Sequence, residues 1–485
     1  MGIFANPLTD LLEYEDFSRD FLKGTDPVGM TGCIDSEKVH FMSTFLGEKK
    51  VQLVVTYSEQ RAREIEEDYK LFCSQVYVIP PRDLIFFSAD LQGNAIIAER
   101  MKAFAALYQN EAKVIITTMD ALMSAAVPFE QLMSHVIKLK EGDELDLEKL
   151  KHDLTVMGYE RVGRVEEPGQ FTVHGGIADV YPLTMEVPVR IELWGDEIDT
   201  IRCFEPQSQR SMDQIESVSV FPAAEVIADD TARRRAVGMI KNELESQLAV
   251  FKKAKEPDKA KRLREETNRI LEALGEDVVL EAPDSYISYF YPRTVQLSEY
   301  FDEKNTLVFL DEPMRLKERG DGVQAEFEES MKNRLEQGFL LPGQTALLTP
   351  AKHVLAAFER GQVAALSSLD SRLADFTVVN SYAVNVQNMN TYREGFELLI
   401  KDLTHWKKEK YRIVLLCPSR TRANRIVNQL IEYDLLAYYS EDEDKKINPG
   451  EIMVTYGNLH RGFLYPMLKF AVITESDIFG VKKKK

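Results

Sequence analysis

The sequence predicts an α/β protein in which a parallel sheet is interrupted by a small β-rich module and followed by a separate C-terminal α/β domain. Three observations carry that expectation. Over residues 51–117 β-prone runs alternate with helix-period segments, the layout of a parallel sheet with crossover helices. Over 142–222 the character changes to short alternating runs broken by glycine and proline, the pattern of an antiparallel sheet. From Phe376 a second strand-and-helix alternation begins.

Each element has a local reason. Residues 51–57 (VQLVVTY) form a strand. Ser58 supplies the N-cap of a helix over 59–72, where Ala62, Ile65, Tyr69 and Phe72 recur at helical spacing. A strand at 75–79, a turn at Pro80-Pro81, a helix over 95–109 and a strand at 113–117 continue the alternation. Residues 1–141 thus make the first part of the parallel domain. The module spans 142–222 and closes at Phe221-Pro222. Residues 223–372 complete the parallel domain and contain two helices over 229–274 that turn at Pro257. Acids interleave with lysine and arginine there (Glu256, Asp258, Glu265, Glu266, Glu272), which predicts a solvated hairpin rather than a nucleic-acid patch.

A buried strand at 306–310 ends in Asp311-Glu312, and residues 341–348 look strand-like before a helix over 353–360. The C-terminal domain, 373–480, has a helix over 391–408, a strand at 412–416 and a Ser419-capped helix to about residue 433. Strands at 436–439, 452–455 and 470–473 complete it, with loops at 441–444 and 462–466. Lysines at 482–485 begin a basic linker.

The 485 residues exceed one core and predict three or four domains at ~100–200 residues each. Net charge is −19, whereas a protein built to grip DNA usually carries a basic balance. Contact with a protein partner fits better. The four cysteines (Cys33, Cys73, Cys203, Cys417) and seven histidines are scattered, which argues against a metal site or a disulfide framework. No run approaches the ~18 apolar residues of a membrane span, and no secretory signal opens the chain. The expectation is a cytoplasmic protein.

A parallel domain that binds nucleotide triphosphate would carry GxxxxGK[ST] before its first helix, with lysine reaching the phosphates and a hydroxyl on magnesium. Aligned on Gly29, this chain places Gly32 within the loop, Ile34 at the second glycine, Asp35 at the lysine and Ser36 at the hydroxyl. A register from Gly24 puts Met30 at the lysine and Thr31 at the hydroxyl. The cation is missing in both, although Lys38 lies two residues past the first register. Asp311-Glu312 resembles the strand-end acids that hold the metal. Without the clamp they read as a relic that caps a helix or satisfies backbone N–H groups. The expectation is a degenerate RecA-like (P-loop NTPase-like) domain with no catalytic residue, no metal and no ATP hydrolysis.

Residues 171–211 read FTVHGGIADVYPLTMEVPVRIELWGDEIDTIRCFEPQSQRS. This run resembles the damage-recognition partner module shared by UvrB and the transcription-repair coupling factor (Mfd) family, with about a dozen positions matching in order. The missing lysine, a tyrosine-free segment at 80–100 and the run at 457–480 resemble the N-terminal region of Mfd rather than UvrB. The resemblance implies UvrA binding through two basic residues and an aromatic, carried here by His174, Arg190 and Trp194. Arg190 matches the family and can bond a carboxylate bidentately. Trp194 stands where phenylalanine is usual and His174 where arginine is usual. A histidine of unperturbed pKa ~6.5 is largely neutral at cytoplasmic pH, which leaves Arg161 or Arg164 to compensate. The alternative is that Arg190 pairs with a local acid such as Glu192 and Trp194 is core. Gly175 and Gly176 read as a turn or bulge and Asp179 as structural. Arg420, Arg422 and Arg425 read as a solvated helical face or as a phosphate site at a helix start.

The resemblance further implies a non-catalytic platform that recruits UvrA to lesion-stalled RNA polymerase. RNA polymerase and DNA would be met through C-terminal domains absent here, ATP and magnesium would belong to the parent's motor domains, and the module would contact the motor domain intramolecularly. The rival is a UvrB-type, nucleotide-dependent DNA-loading protein.

Overall fold

A computed structural model describes residues 7–82, 91–275, 283–370, 376–392, 395–442 and 445–480. Part of the tyrosine-free segment at 80–100 and the basic run at 481–485 lie outside them.

Seven strands form one sheet in the order Asn380–Ala383, Val28–Thr31, Val363–Ser367, Thr306–Asp311, Val51–Thr56, Val114–Thr118, Val76–Ile79. Every neighbouring pair is parallel. Strands buried on both faces read as continuous apolar runs, which is why Val114-Ile115-Ile116 and Leu53-Val54-Val55 carry no alternation and are all buried. Ser58 Oγ accepts from Arg61 N at 3.2 Å and starts the helix Glu59–Tyr69.

Asn380–Ala383 lies past residue 372 yet extends this first sheet, pairing with Val28–Thr31. Its sequence, Asn-Ser-Tyr-Ala, offers no apolar alternation to signal a strand. Residues 341–348 hold the 3-10 turn Pro342–Thr345 instead of a strand, because Pro342 and Gly343 open a turn within the apolar run. The helical pair forms as expected: Asp230–Ala254 is capped by Asp229, and Pro257 sits in the first turn of Pro257–Gly275.

The C-terminal sheet runs Gln387–Asn388, Phe463–Tyr465, Phe470–Thr474, Arg412–Cys417, Ile452–Tyr456, Ala437–Tyr439. Phe463–Tyr465 lies in the span expected to be loop; it pairs antiparallel with Phe470–Thr474. This sheet has its own cluster on one face. On the other face it shares a core with the first sheet: Val54, Ile116 and Leu366 pack in one cluster with Val414, Met453, Phe463 and Val472. The two α/β units are therefore joined through buried apolar surface.

The β-rich module is a six-stranded sheet ordered Ser211–Gln214, Glu197–Phe204, Val189–Trp194, Ile177–Val180, Gln170–His174, Glu160–Arg161. Its inner face (Phe171, Val173, Ala178, Val180, Val189, Ile191, Ile198, Ile201) packs on Leu150 and Leu154 of the helix Leu147–Val156. The strands Ile137–Lys140 and Ser217–Val220 pair antiparallel at its base. Among the described residues no helix is long and apolar enough to cross a membrane.

Candidate functional site

Alternation in the module sends every second side chain away from the core. On Val189–Trp194 these are Arg190, Glu192 and Trp194, because Val189, Ile191 and Leu193 join the inner cluster. His174 lies opposite Ile177, Ile177 opposite Glu192, and Asp179 opposite Arg190. The sheet therefore brings His174, Arg190 and Trp194 onto one outer face.

Trp194 is 84% exposed, whereas Trp406 is buried. It ends its strand immediately before Gly195, whose φ of +66° is the left-handed turn conformation that glycine adopts at least cost. Trp194 is thus not core. Ile177, 39% exposed, adds apolar surface on the same face. His174 is exposed and its Nε2 lies 2.9 Å from Thr172 Oγ1.

Arg190 is engaged within the sheet. Its Nε and Nη2 donate to the two carboxylate oxygens of Asp179, both at 2.8 Å. The pairing partner is Asp179 and not Glu192, which instead accepts from Thr200 Oγ1 at 3.1 Å. Register explains this, since Asp179 stands directly across from Arg190. The bidentate fork expected for a partner carboxylate is thereby used internally. The guanidinium also lies over the Phe204 ring, 4.8 Å from its centroid, a favourable cation–π distance. Bonding to Asp179 raises the Arg190 pKa further. Arg164 is occupied by Glu166 and the Gln207 carbonyl. The positions of Phe204 and Ile177 on this face went unread in the sequence, and Asp179, read there as structural, is the carboxylate that pairs with Arg190.

The second candidate region lies where the strand Val28–Thr31 meets the helix Asp35–Ser43. Gly29 is within the strand. Gly32 has φ +83°, and a Cβ there would stand 2.0 Å from the Val384 carbonyl oxygen, so the segment after Asn380–Ala383 packs directly on this turn. Asp35 has φ +28°, a conformation that costs a non-glycine residue energy. Its carbonyl accepts from Arg61 Nη2 at 2.8 Å, and its carboxylate lies 3.4 Å from Arg461 Nη1.

Lys38 reaches the strand-end acids. Its Nζ donates to Asp311 Oδ1 and to Glu312 Oε1, each at 2.7 Å, with the lysine and Asp311 side chains almost fully buried. Thr56 Oγ1 and Arg61 Nε also donate to Asp311 Oδ2, at 2.8 and 3.4 Å. Burial opposes the charged Asp311, but Lys38 and Arg61 outweigh it and hold the carboxyl below its usual range. Burial likewise opposes the charged Lys38, and the two acids raise it in return. Glu312 Oε1 also accepts from Ser368 N at 2.9 Å, in line with the backbone-satisfying reading of this pair. Lys38 was noted in the sequence only for its place near the loop; its pairing was unread, since its partners are acids 273 and 274 positions away.

The C-terminal unit closes over the same helix. Ser36 Oγ accepts from Arg461 N at 2.9 Å, and Tyr465 Oη donates to Glu37 Oε1 at 2.6 Å. Asp68 accepts from His460 N at 2.5 Å. Burial pushes the Glu37 and Asp68 carboxyls each up to about 7. Of the arginines after Ser419, Arg420 pairs bidentately with Glu441, Arg422 forms an ion pair through Nη1 with Glu475, and Arg425 is exposed. Among the described residues no cluster of histidine, cysteine or carboxylate could hold a metal ion.

Residues 137–225 match the UvrB interaction domain family, and residues 405–478 match the MFD D3 domain family. The chain is 28% identical over 487 residues to the transcription-repair-coupling factor of Bacillus subtilis, covering 99% of this chain and 41% of that protein. The factors of Staphylococcus epidermidis (27%, 100% and 40%) and Staphylococcus haemolyticus (28%, 96% and 39%) are similar to it as well. The chain spans about 40% of the length of these relatives. Both matched domains lie in one chain, and its similarity to the transcription-repair-coupling factors (Mfd) runs over nearly all of its length.

Proposed function

We propose that this chain is the non-catalytic N-terminal platform of a transcription-repair-coupling factor, which recruits UvrA to RNA polymerase stalled at a DNA lesion. The observation that carries the reading is the outer face of the UvrB interaction domain. It presents Trp194 almost fully to solvent beside Ile177, His174 and a braced Arg190. An exposed tryptophan on the same sheet face as an arginine has the composition of an interface hot spot. RNA polymerase and DNA are contacts of other parts of the parent protein, as are ATP and magnesium. An intramolecular contact of this module with the motor domain belongs to the same reading.

The parallel sheet with a turn-and-helix at residues 29–43 and acids at the end of a nearby strand supports descent from a nucleotide-binding, RecA-like domain. The residues present do not fit a magnesium triphosphate. Asp35 stands where a lysine would reach phosphate, and the ammonium of Lys38 already bridges the two acids that would hold a metal. Chain around Val384 packs on Gly32. This argues against the UvrB-type DNA-loading alternative, as does the net charge of −19.

The test is capture of UvrA by the intact chain together with an ATPase assay with and without DNA. The reading expects capture that Arg190→Ala weakens, and no turnover above background. Robust DNA-stimulated turnover would favour the DNA-loading alternative instead.

A further inference from the structure

We infer that Asp179 is a positioning residue for docking: it holds the Arg190 guanidinium by two nitrogens, so that a partner engages Arg190 through Nη1 alone, with a single oxygen acceptor. The inference rests on the docking reading above and adds how its arginine is presented.

Arg190 has five N–H donors. Nε and one N–H of Nη2 are given to Asp179 at 2.8 Å. Nη2 also lies 3.5 Å from Gln209 Oε1. Gln209 is itself fixed, because its Nε2 donates to the carbonyls of Pro206 at 2.7 Å and Val165 at 3.1 Å. Phe204, fully buried, closes one face of the guanidinium. The Nη1 donors have no acceptor in the described residues, and Nη1 is not among the buried atoms left unpaired. Nη1 therefore faces water on the side of the sheet that carries Trp194.

A free arginine grips a carboxylate with two parallel bonds. Here that fork is committed inside the sheet, and one nitrogen remains. Its complement is one oxygen, either a main-chain carbonyl or one oxygen of a carboxylate. Holding the side chain in place before docking also lowers the ordering cost of binding, an effect of roughly two- to tenfold in affinity for one long side chain.

The experiment titrates UvrA into the full chain carrying Asp179→Asn, Arg190→Met, both, or Trp194→Ala, with thermal unfolding of each as a folding check. Asp179→Asn is expected to weaken binding about tenfold, and Arg190→Met at least as much. The double variant should match Arg190→Met alone, because Asp179 acts through Arg190. Further loss in the Arg190→Met background would make Asp179 merely structural and overturn the inference. Tighter binding by Asp179→Asn would overturn it too, since Asp179 would then be competing with the partner for the fork. Should Asp179→Asn fail to fold, Asp179→Ser, which also removes the two-oxygen acceptor, supplies the same comparison. Repeating the titration at low and high salt separates the acceptors: a carboxylate makes the Arg190→Met effect shrink with salt, and a carbonyl leaves it unchanged. Full affinity in Trp194→Ala would sink the docking reading itself. Loss in Trp194→Ala with none in Asp179→Asn would sink only the present inference.

Discussion

Lys38 and Trp194 are opposite cases of what one side chain does. Lys38 is 3% exposed and sits between two acids; Trp194 is 84% exposed and touches little. Removing one member of a buried ion pair leaves an uncompensated charge, which costs about 3–5 kcal/mol. Lys38→Met is therefore expected to lower the stability of the chain by that amount in urea unfolding, and a change under about 1 kcal/mol would contradict the network described here. Trp194→Ala should move the unfolding midpoint hardly at all, because little apolar area is lost from the core. Neither outcome could be read from composition. The sequence showed Asp35 standing where a lysine belongs, but where Lys38 points depends on acids more than 270 positions away.

Elements were legible where their signals are local. Turn chemistry and alternation marked residues 142–222 as a small antiparallel sheet, and Ser58 and Ser419 both cap helices as their positions predict. Asn380–Ala383 was not legible, because a polar edge strand draws its reason from the neighbour it pairs with. That strand brings Val384 against Gly32, so the two elements predict a sensitive position. Gly32→Ala adds a Cβ within 2.0 Å of the Val384 oxygen at a φ of +83°. It is expected to destabilise the chain by about 1–3 kcal/mol and to raise hydrogen exchange in residues 28–33 and 380–384 together. Exchange rising at 28–33 alone would mean that the two segments are not coupled.

For the whole molecule, the shared core and the buried polar contacts join the C-terminal unit to the first sheet. The separate domain expected from the alternation after residue 376 is separate in its sheet but not in its packing. That could not be foreseen, since two apolar faces look alike in sequence whether they meet each other or a helix. The joint is proton-linked. Burial holds the Glu37 and Asp68 carboxyls up at about 7 against ordinary values near 4. The folded chain thus binds more protons than the unfolded chain between about pH 4 and 7. Stability is expected to be fullest at the acid end of that window, to fall as pH rises through 7, and to level off above it. The loss is on the order of 3 kcal/mol per carboxyl. Denaturant midpoints between pH 5 and 8 check this, and Glu37→Gln should flatten the slope. A midpoint that climbs through the window would contradict the assignment.

All three scales converge on one division of labour. The buried acids and Lys38 hold the scaffold shut, and in the proposed function the outer sheet face of the module is the surface offered to the partner. Calorimetric titration of UvrA into the intact chain and its Trp194→Ala variant tests that division most directly. The account predicts a loss of about 2 kcal/mol or more in binding free energy with an unchanged unfolding midpoint. Equal affinity in the two proteins would contradict it.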